Sequence, residues 1–301
     1  MHPKFIIVDR KTVVLPSCNV SWEEWFEGAV TMTGPILGQF LKFYHTFWER
    51  RANVPARVED STAAIELPAT DSVVSASQTA TILSKDTPSF FLPSPHRRNP
   101  NFQPFTTAVA PTTPLNNFIL TIFSKAERSI RIQTPNLTAP PVLSALLKAL
   151  ARGVDVTILT SARLMILEQL VTAGTTTSRC VKTLIKRYKA LGTYTSSRTY
   201  DEEAAIAPAK IGRLSISYFE PKHGYKRRGE EMGEPQQSHL KMTIVDREVL
   251  VLGSGNLDRA SWFTSQELGV AFFGEDVVQK VEETVDRAME GRSRVVFDSG
   301  R

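Results

Sequence analysis

The chain has 301 residues, 42% of them hydrophobic and 22% charged, with a formal net charge of +5. This composition excludes fibrous and disordered classes, and no apolar run reaches the ~20 residues that a membrane-crossing helix needs. Two cysteines, Cys18 and Cys180, are too few for a disulfide framework or a thiolate metal site and suit a reducing intracellular setting, while the excess of cations suits an anionic partner.

From the N-terminus, residues 2–8 alternate in a way that predicts a strand carrying His2, Lys4, Ile6 and Val8 on one face. The apolar core at 5–8 is too short for a secretion signal and is closed by Asp9-Arg10-Lys11, which reads as a turn. A second strand follows at 12–15, so the opening segment is a hairpin. Residues 35–50 carry apolar side chains at helical spacing. Residues 51–104 are rich in Ser, Thr, Pro and Ala, with Pro93, Pro95, Pro100 and Pro104 near the end, and read as a flexible linker. Beyond it the pattern is regular: helix 115–125, strand 129–133, helix 141–152, strand 154–159, helices near 161–172 and 178–191, strand 214–219, a second hairpin, and a helix at 276–290. Alternation of this kind predicts an α/β fold with a mixed sheet flanked by helices. The expected units are a first half over 1–50, the linker over 51–104 and a complete second half over 105–301.

The two hairpins are copies of each other. His2-Pro3-Lys4 with Asp9, and His239-Leu240-Lys241 with Asp246, both spell H-x-K-x4-D. Ser17 and Asn19 follow the first histidine at the spacing by which Ser254 and Asn256 follow the second, and ten of 18 aligned positions are identical. Allowing for three residues missing from the first copy, Ser21-Trp22, Glu27 and Val30 match Ser261-Trp262, Glu267 and Val270.

This pairing resembles the phospholipase D superfamily of phosphodiesterases and phosphatidyltransferases. The second copy carries the full G-S-x-N signature at Gly253-Ser254-Gly255-Asn256, whereas Pro16 replaces the glycine in the first. The resemblance implies two pseudo-repeated halves packed face to face, each giving one motif to a shared site. It also implies that the first half is incomplete. About 130 residues of strand–helix scaffold precede His239 and only Met1 precedes His2, so the first lobe should lack the strands flanking its motif and be weakly supported. The expected explanation is a chain missing the family's N-terminal part through truncation or a misplaced start. The alternative is a natural short form that finds its sheet neighbours in a second chain, as in a homodimer.

Phosphodiester cleavage needs a nucleophile, a proton for the leaving oxygen and cations around the phosphoryl oxygens. Histidine can fill the first two roles near neutral pH. The resemblance puts the nucleophile on His2, giving a phosphohistidine, and the acid/base on His239. Lys4 and Lys241 would hold the phosphoryl oxygens, with amide bonds from Asn19 and Asn256. Ser17 and Ser254 would assist, and Asp9 and Asp246 would buttress the hairpin turns. Glu27 and Glu267 would each fix a histidine tautomer through the second ring nitrogen. No cofactor and no metal is called for. Trp22 and Trp262 read as core, and His45 and His96 as helix-surface and linker residues. The basic run at 222–228 is a solvated face or a grip on an anion.

The expected substrate is a phospholipid, cleaved or transferred to an alcohol by a cytoplasmic or peripherally membrane-bound enzyme. A nuclease of the same superfamily shares the chemistry. An inactive remnant that binds phosphorylated ligands is the reading outside enzymology. An apolar pocket rim favours lipid, whereas basic stripes with stacking aromatics favour nucleic acid.

Overall fold

The computed structural model describes residues 2–19, 23–49, 80–95, 109–197, 211–226 and 233–300. Trp22, His96 and most of the segment expected as linker lie outside the described residues.

The first lobe opens with a hairpin of β1 (Ile6–Val8) and β2 (Thr12–Pro16), turned through Asp9 and Arg10 at positive φ. Its first strand starts four residues later than the alternation predicts. The reason is a crossing to the other lobe, where the His2 N–H donates to the Gln266 carbonyl at 3.0 Å. After a two-residue strand β3 (Trp25–Phe26), β4 (Ala29–Met32) pairs with β2, giving a sheet in the order β1-β2-β4. Helix α1 (Ile36–Tyr44) buries Leu37, Phe40, Leu41 and Phe43 and runs on into a wide turn at His45–Glu49.

A strand also forms where the linker was expected. Residues Ser89–Ser94 make β5, with Leu92 and Ser94 buried, so the linker reading fails at this point. Pro93 is tolerated within it because β5 is an edge strand, where proline's missing N–H need not cost a ladder bond.

The second lobe follows the predicted order: α2 (Pro114–Lys125), β6 (Ser129–Gln133), α3 (Pro140–Ala151), β7 (Asp155–Thr160), α4 (Ile166–Ala173), α5 (Thr177–Ser197) and β8 (Leu214–Phe219). Then come β9 (Gln237–Ser238), β10 (Met242–Val245), β11 (Val249–Gly253), α6 (Arg259–Phe263), β12 (Glu267–Phe273), α7 (Glu275–Met289) and β13 (Ser293–Asp298). Thr113 caps α2, its hydroxyl accepting from the Asn116 N–H, with Pro114 at the first helical position. Helix α4 starts later than expected because Met165 is left-handed, at φ 54°. The sheet has eight strands in the order β13-β8-β7-β6-β10-β11-β12-β5, parallel through β6, β7 and β8 and antiparallel elsewhere. The motif hairpin β10–β11 lies at its centre.

Two cores cover the sheet. On one face Phe123 of α2, Leu146 of α3 and Leu184 of α5 pack against Ile130, Ile158 and Val245. On the other, Val278 and Val285 of α7 share a cluster with Met242, Ile244 and Val270, and this cluster also takes in Val13, Leu15, Leu37 and Phe40 of the first lobe. The first lobe is therefore supported by more than a hairpin: β4, α1 and the neighbouring sheet all cover it. Its gap lies elsewhere. Among the described residues β1 pairs only with β2, and Ile6 and Val8 are exposed where their counterparts Thr243 and Val245 are buried.

Candidate active site

The two lobes are stitched by an exchange around the motif histidines. Strands β3 and β9 pair in parallel, Trp25 with Gln237 and Phe26 with Ser238. The His239 N–H donates to the Phe26 carbonyl at 2.9 Å, and the His2 N–H makes the matching bond to Gln266 at 3.0 Å. Each bond brings a histidine beside the glutamate that follows its acceptor.

The side chains complete the exchange. His239 Nδ1 lies 2.8 Å from Glu27 Oε1, and His2 Nδ1 lies 3.3 and 3.2 Å from the two oxygens of Glu267. Each imidazole is thus held by the carboxylate of the opposite lobe. A carboxylate only accepts, so the contact favours the Nδ1–H tautomer, with the lone pair on Nε2. The serines spend their hydroxyls on these carboxylates. Ser17 Oγ donates to Glu27, Ser254 Oγ donates to Glu267 at 2.6 Å, and each accepts from the N–H that follows its glutamate, Gly28 at 2.9 Å and Leu268 at 3.1 Å. Gly253 has a steric reason to be glycine: a Cβ there would sit 2.3 Å from the Leu268 carbonyl. In the first hairpin Pro16 stands opposite Ala29 at the register held by Gly253 and Gly269 in the second.

The lysines fold back onto their own histidines. Lys241 Nζ donates to the carbonyls of His239 at 2.7 Å and Ser17 at 3.0 Å and lies 2.9 Å from His239 Nδ1. Lys4 Nζ donates to the His2 carbonyl at 3.0 Å and lies 3.0 and 3.1 Å from the ring nitrogens. Burial lowers the pKa of both, that of Lys241 to about 7, with glutamates Glu27 and Glu267 opposing the shift. Burial also pushes the His239 imidazole below its ordinary range, against the Glu27 hydrogen bond and with help from the charges of Lys241 and Lys4. The charges of Lys4 and Glu27 in the first lobe thus act on His239 and Lys241 in the second.

The two halves differ at their asparagines and aspartates. Asn256 is buried, with Nδ2 3.2 Å from Asp258 and Oδ1 without a partner among the described residues, whereas Asn19 is exposed. Asp246 accepts from the N–H groups of Glu127, Arg128 and Ser129 at 3.0, 2.8 and 2.8 Å. Burial would raise its carboxyl, but these three bonds outweigh it and hold the pKa below the ordinary value. Asp9 is exposed at the matching turn.

Three participants escape a reading of motif spacing alone. Trp25 lies with its ring 4.8 Å from that of His239, Ser261 Oγ donates to Glu267 at 3.2 Å, and buried Asp258 receives both Asn256 and the N–H of Ser261. Ser261 stood in the aligned repeat and could have been read there. Nothing in the sequence marks Trp25.

The family model for the cardiolipin synthase PLD-like domain matches residues 119–289. Among solved structures, the fold is similar to that of phosphatidylserine synthase from Haemophilus influenzae, with a TM-score of 0.56, 15% identity, and coverage of 98% of this chain and 63% of the synthase. Nuc from Salmonella typhimurium, a phospholipase D family member, matches at 17% identity with a TM-score of 0.38 over 70% of this chain and 98% of its own. NucT from Helicobacter pylori matches at 15% identity with a TM-score of 0.37, covering 59% and 88%. No curated protein matches the sequence.

Proposed function

Because the chain belongs to the phospholipase D superfamily, we propose that it is a phosphodiesterase acting on phospholipids, by hydrolysis or by phosphatidyl transfer to an alcohol. The observation that carries the reading is the reciprocal hold of His239 by Glu27 and of His2 by Glu267. It gives two oriented imidazoles to one cleft, beside two ammonium groups. The lipid class is supported by the matching family model, whose name is that of a lipid-forming enzyme.

In the first step His2 Nε2 attacks phosphorus, a nitrogen–phosphorus bond forms, and the ester bond to the leaving alcohol breaks. His239 gives that alcohol its proton. In the second step His239 takes a proton from water or an acceptor alcohol, whose oxygen displaces the histidine. The lowered pKa of His239 fits this sequence, because it is neutral when it must accept a proton. Its acid role depends on the substrate, whose negative charge beside the ring offsets burial and the lysine charges. Lys4 and Lys241 hold the phosphoryl oxygens, so a bound phosphodiester must draw their Nζ groups from the carbonyls they now meet.

Acid quench during turnover tests the reading. Phosphatidylcholine should leave a phosphohistidine adduct in the wild type and none in His2→Ala, and in His239→Ala the adduct should form more slowly because the leaving alcohol has lost its proton donor. An adduct formed from a DNA oligonucleotide and not from lipid would make the chain a nuclease. No adduct and no turnover on either would make it a binding remnant.

A further inference from the structure

Helix α4 is built inside out. Its one buried side chain is Gln169, 3% exposed. The Gln169 Oε1 accepts from the N–H and hydroxyl of Thr177 at 2.5 and 2.9 Å, and Nε2 donates to the Leu164 carbonyl at 2.6 Å. This polar anchor turns the apolar residues outward: Leu167 is 80% and Val171 71% exposed, with Met165, Ile166 and Leu170 beside them. Positions four apart share a helix face, so these side chains form one patch. A surface helix ordinarily shows the reverse arrangement, and a contiguous exposed apolar patch marks an interaction surface. Left-handed Met165 at its start is a strained conformation for a side-chain-bearing residue.

The patch borders the site. Helix α4 packs against α6, the helix that follows Asn256. Glu168, on α4, has its carboxyl raised by burial and by Asp258 and drawn down by the His2 imidazole, so it stands within electrostatic reach of a motif histidine. A cation stands next to the patch. Arg163 is exposed two residues before Met165, and it acts on Tyr225 of the loop that exposes Lys222 and His223.

We propose that α4 seats this chain on an anionic phospholipid surface, with Leu167 and Val171 entering the acyl region and Arg163 meeting headgroup phosphates. The inference rests on the lipid reading above and names how the substrate is reached: the cleft is set against the bilayer, where a phosphodiester lies at headgroup depth. Single-stranded nucleic acid fits the patch less well, because it stacks on aromatic rings and this helix is aliphatic. A second copy also fits less well. One eight-residue helix falls short of the roughly 800 Å² per partner of a stable interface.

The test compares the wild type with a Leu167→Ser/Val171→Ser variant. Both are sedimented with vesicles of equimolar phosphatidylcholine and phosphatidylglycerol and assayed on a soluble chromogenic phosphodiester. Because both side chains face solvent, the variant should keep its circular dichroism and its soluble turnover. Its vesicle affinity should fall on the order of a hundredfold, from the lost burial of two aliphatic side chains. Equal vesicle binding by both proteins would overturn the proposal, as would a wild type that ignores vesicles. A wild-type dimer dissolved by the variant, or DNA binding lost with it, would assign the patch to those partners instead. If neither protein turns over the diester but the variant still loses vesicle binding, the catalytic reading fails and the seat on the membrane stands.

Discussion

Glu27 and Glu267 lie far apart in sequence, yet each serves the histidine of the other lobe. Glu27 is a positioning residue by this geometry, and its carboxylate also raises the His239 pKa against burial. Glu27→Gln should therefore lower kcat by roughly 10²-fold or more, the scale of a mispositioned acid/base, and move the optimum of kcat/KM to lower pH. A rate loss with an unmoved optimum would reduce Glu27 to a structural part. Lys241 supplies a second pH signature. With its pKa lowered to about 7 by burial, the ammonium is present below that pH and lost above it. Affinity of the free protein for tungstate, a phosphate mimic, should then fall about tenfold per pH unit above 7. Calorimetry showing a flat affinity between about pH 6 and pH 9 would remove Lys241 from the anion site. The repeat made the histidines, lysines, serines and glutamates legible in the sequence, because paired spacing is a sequence property. Which glutamate meets which histidine was not legible: the crossing depends on β3 and β9, two residues each, which no periodicity announces.

At the scale of elements, the two motif hairpins share a sequence but not their surroundings. Asp9 and Asp246 both sit at positive φ, 50° and 55°, so any left-handed backbone cost of alanine is common to both. Only Asp246 caps the start of β6 with three backbone bonds. Asp246→Ala should thus destabilise the protein by about 2 kcal/mol more than Asp9→Ala, the scale of hydrogen bonds to a charged group at a partly exposed site. Denaturant midpoints of the two variants give that difference, and equal losses would contradict the assignment. Because the Asp246 pKa is lowered on folding, its contribution is full above the ordinary carboxylate value of 3.8 and disappears as pH falls through the lower folded value. Up to the motif hairpin, and again at α7, the strands and helices of the second lobe were legible within a few residues, from a clear period with Gly or Pro nearby, whereas α6, β12 and β13 were not. Strand β5 was not. Six residues with Pro93 among them look like linker until the edge of β12, to which they pair, is in view.

On the scale of the whole molecule, the first lobe gains its rigidity from the second. Phe40 of α1 is fully buried and meets Phe5 ahead of β1 at 5.5 Å and Phe91 of β5 at 4.9 Å, while its cluster continues into Met242 and Val270 of the large sheet. The ring therefore ties the segment carrying His2 and Lys4 to the sheet that positions His239. Removing it opens a cavity in the core that both lobes share. Phe40→Ala should cost roughly 3–5 kcal/mol, as buried aromatic truncations do, and the loss should fall unevenly. Strand β6 packs in the other cluster, under α2 and α3, and does not depend on this contact. Hydrogen exchange then distinguishes two outcomes. In the wild type the amides of β2 and β6 should exchange with comparable free energies, as parts of one cooperative unit. In Phe40→Ala those of β2 should lose protection well ahead of those of β6, and kcat should collapse with them, because Glu27 and His2 would no longer be held against His239 and Glu267. Uniform loss across both strands would mean that the lobes stand or fall together without this ring. Retained activity in a variant with an unprotected β2 would mean that the second motif works without the first, which the reciprocal hold of the histidines does not allow.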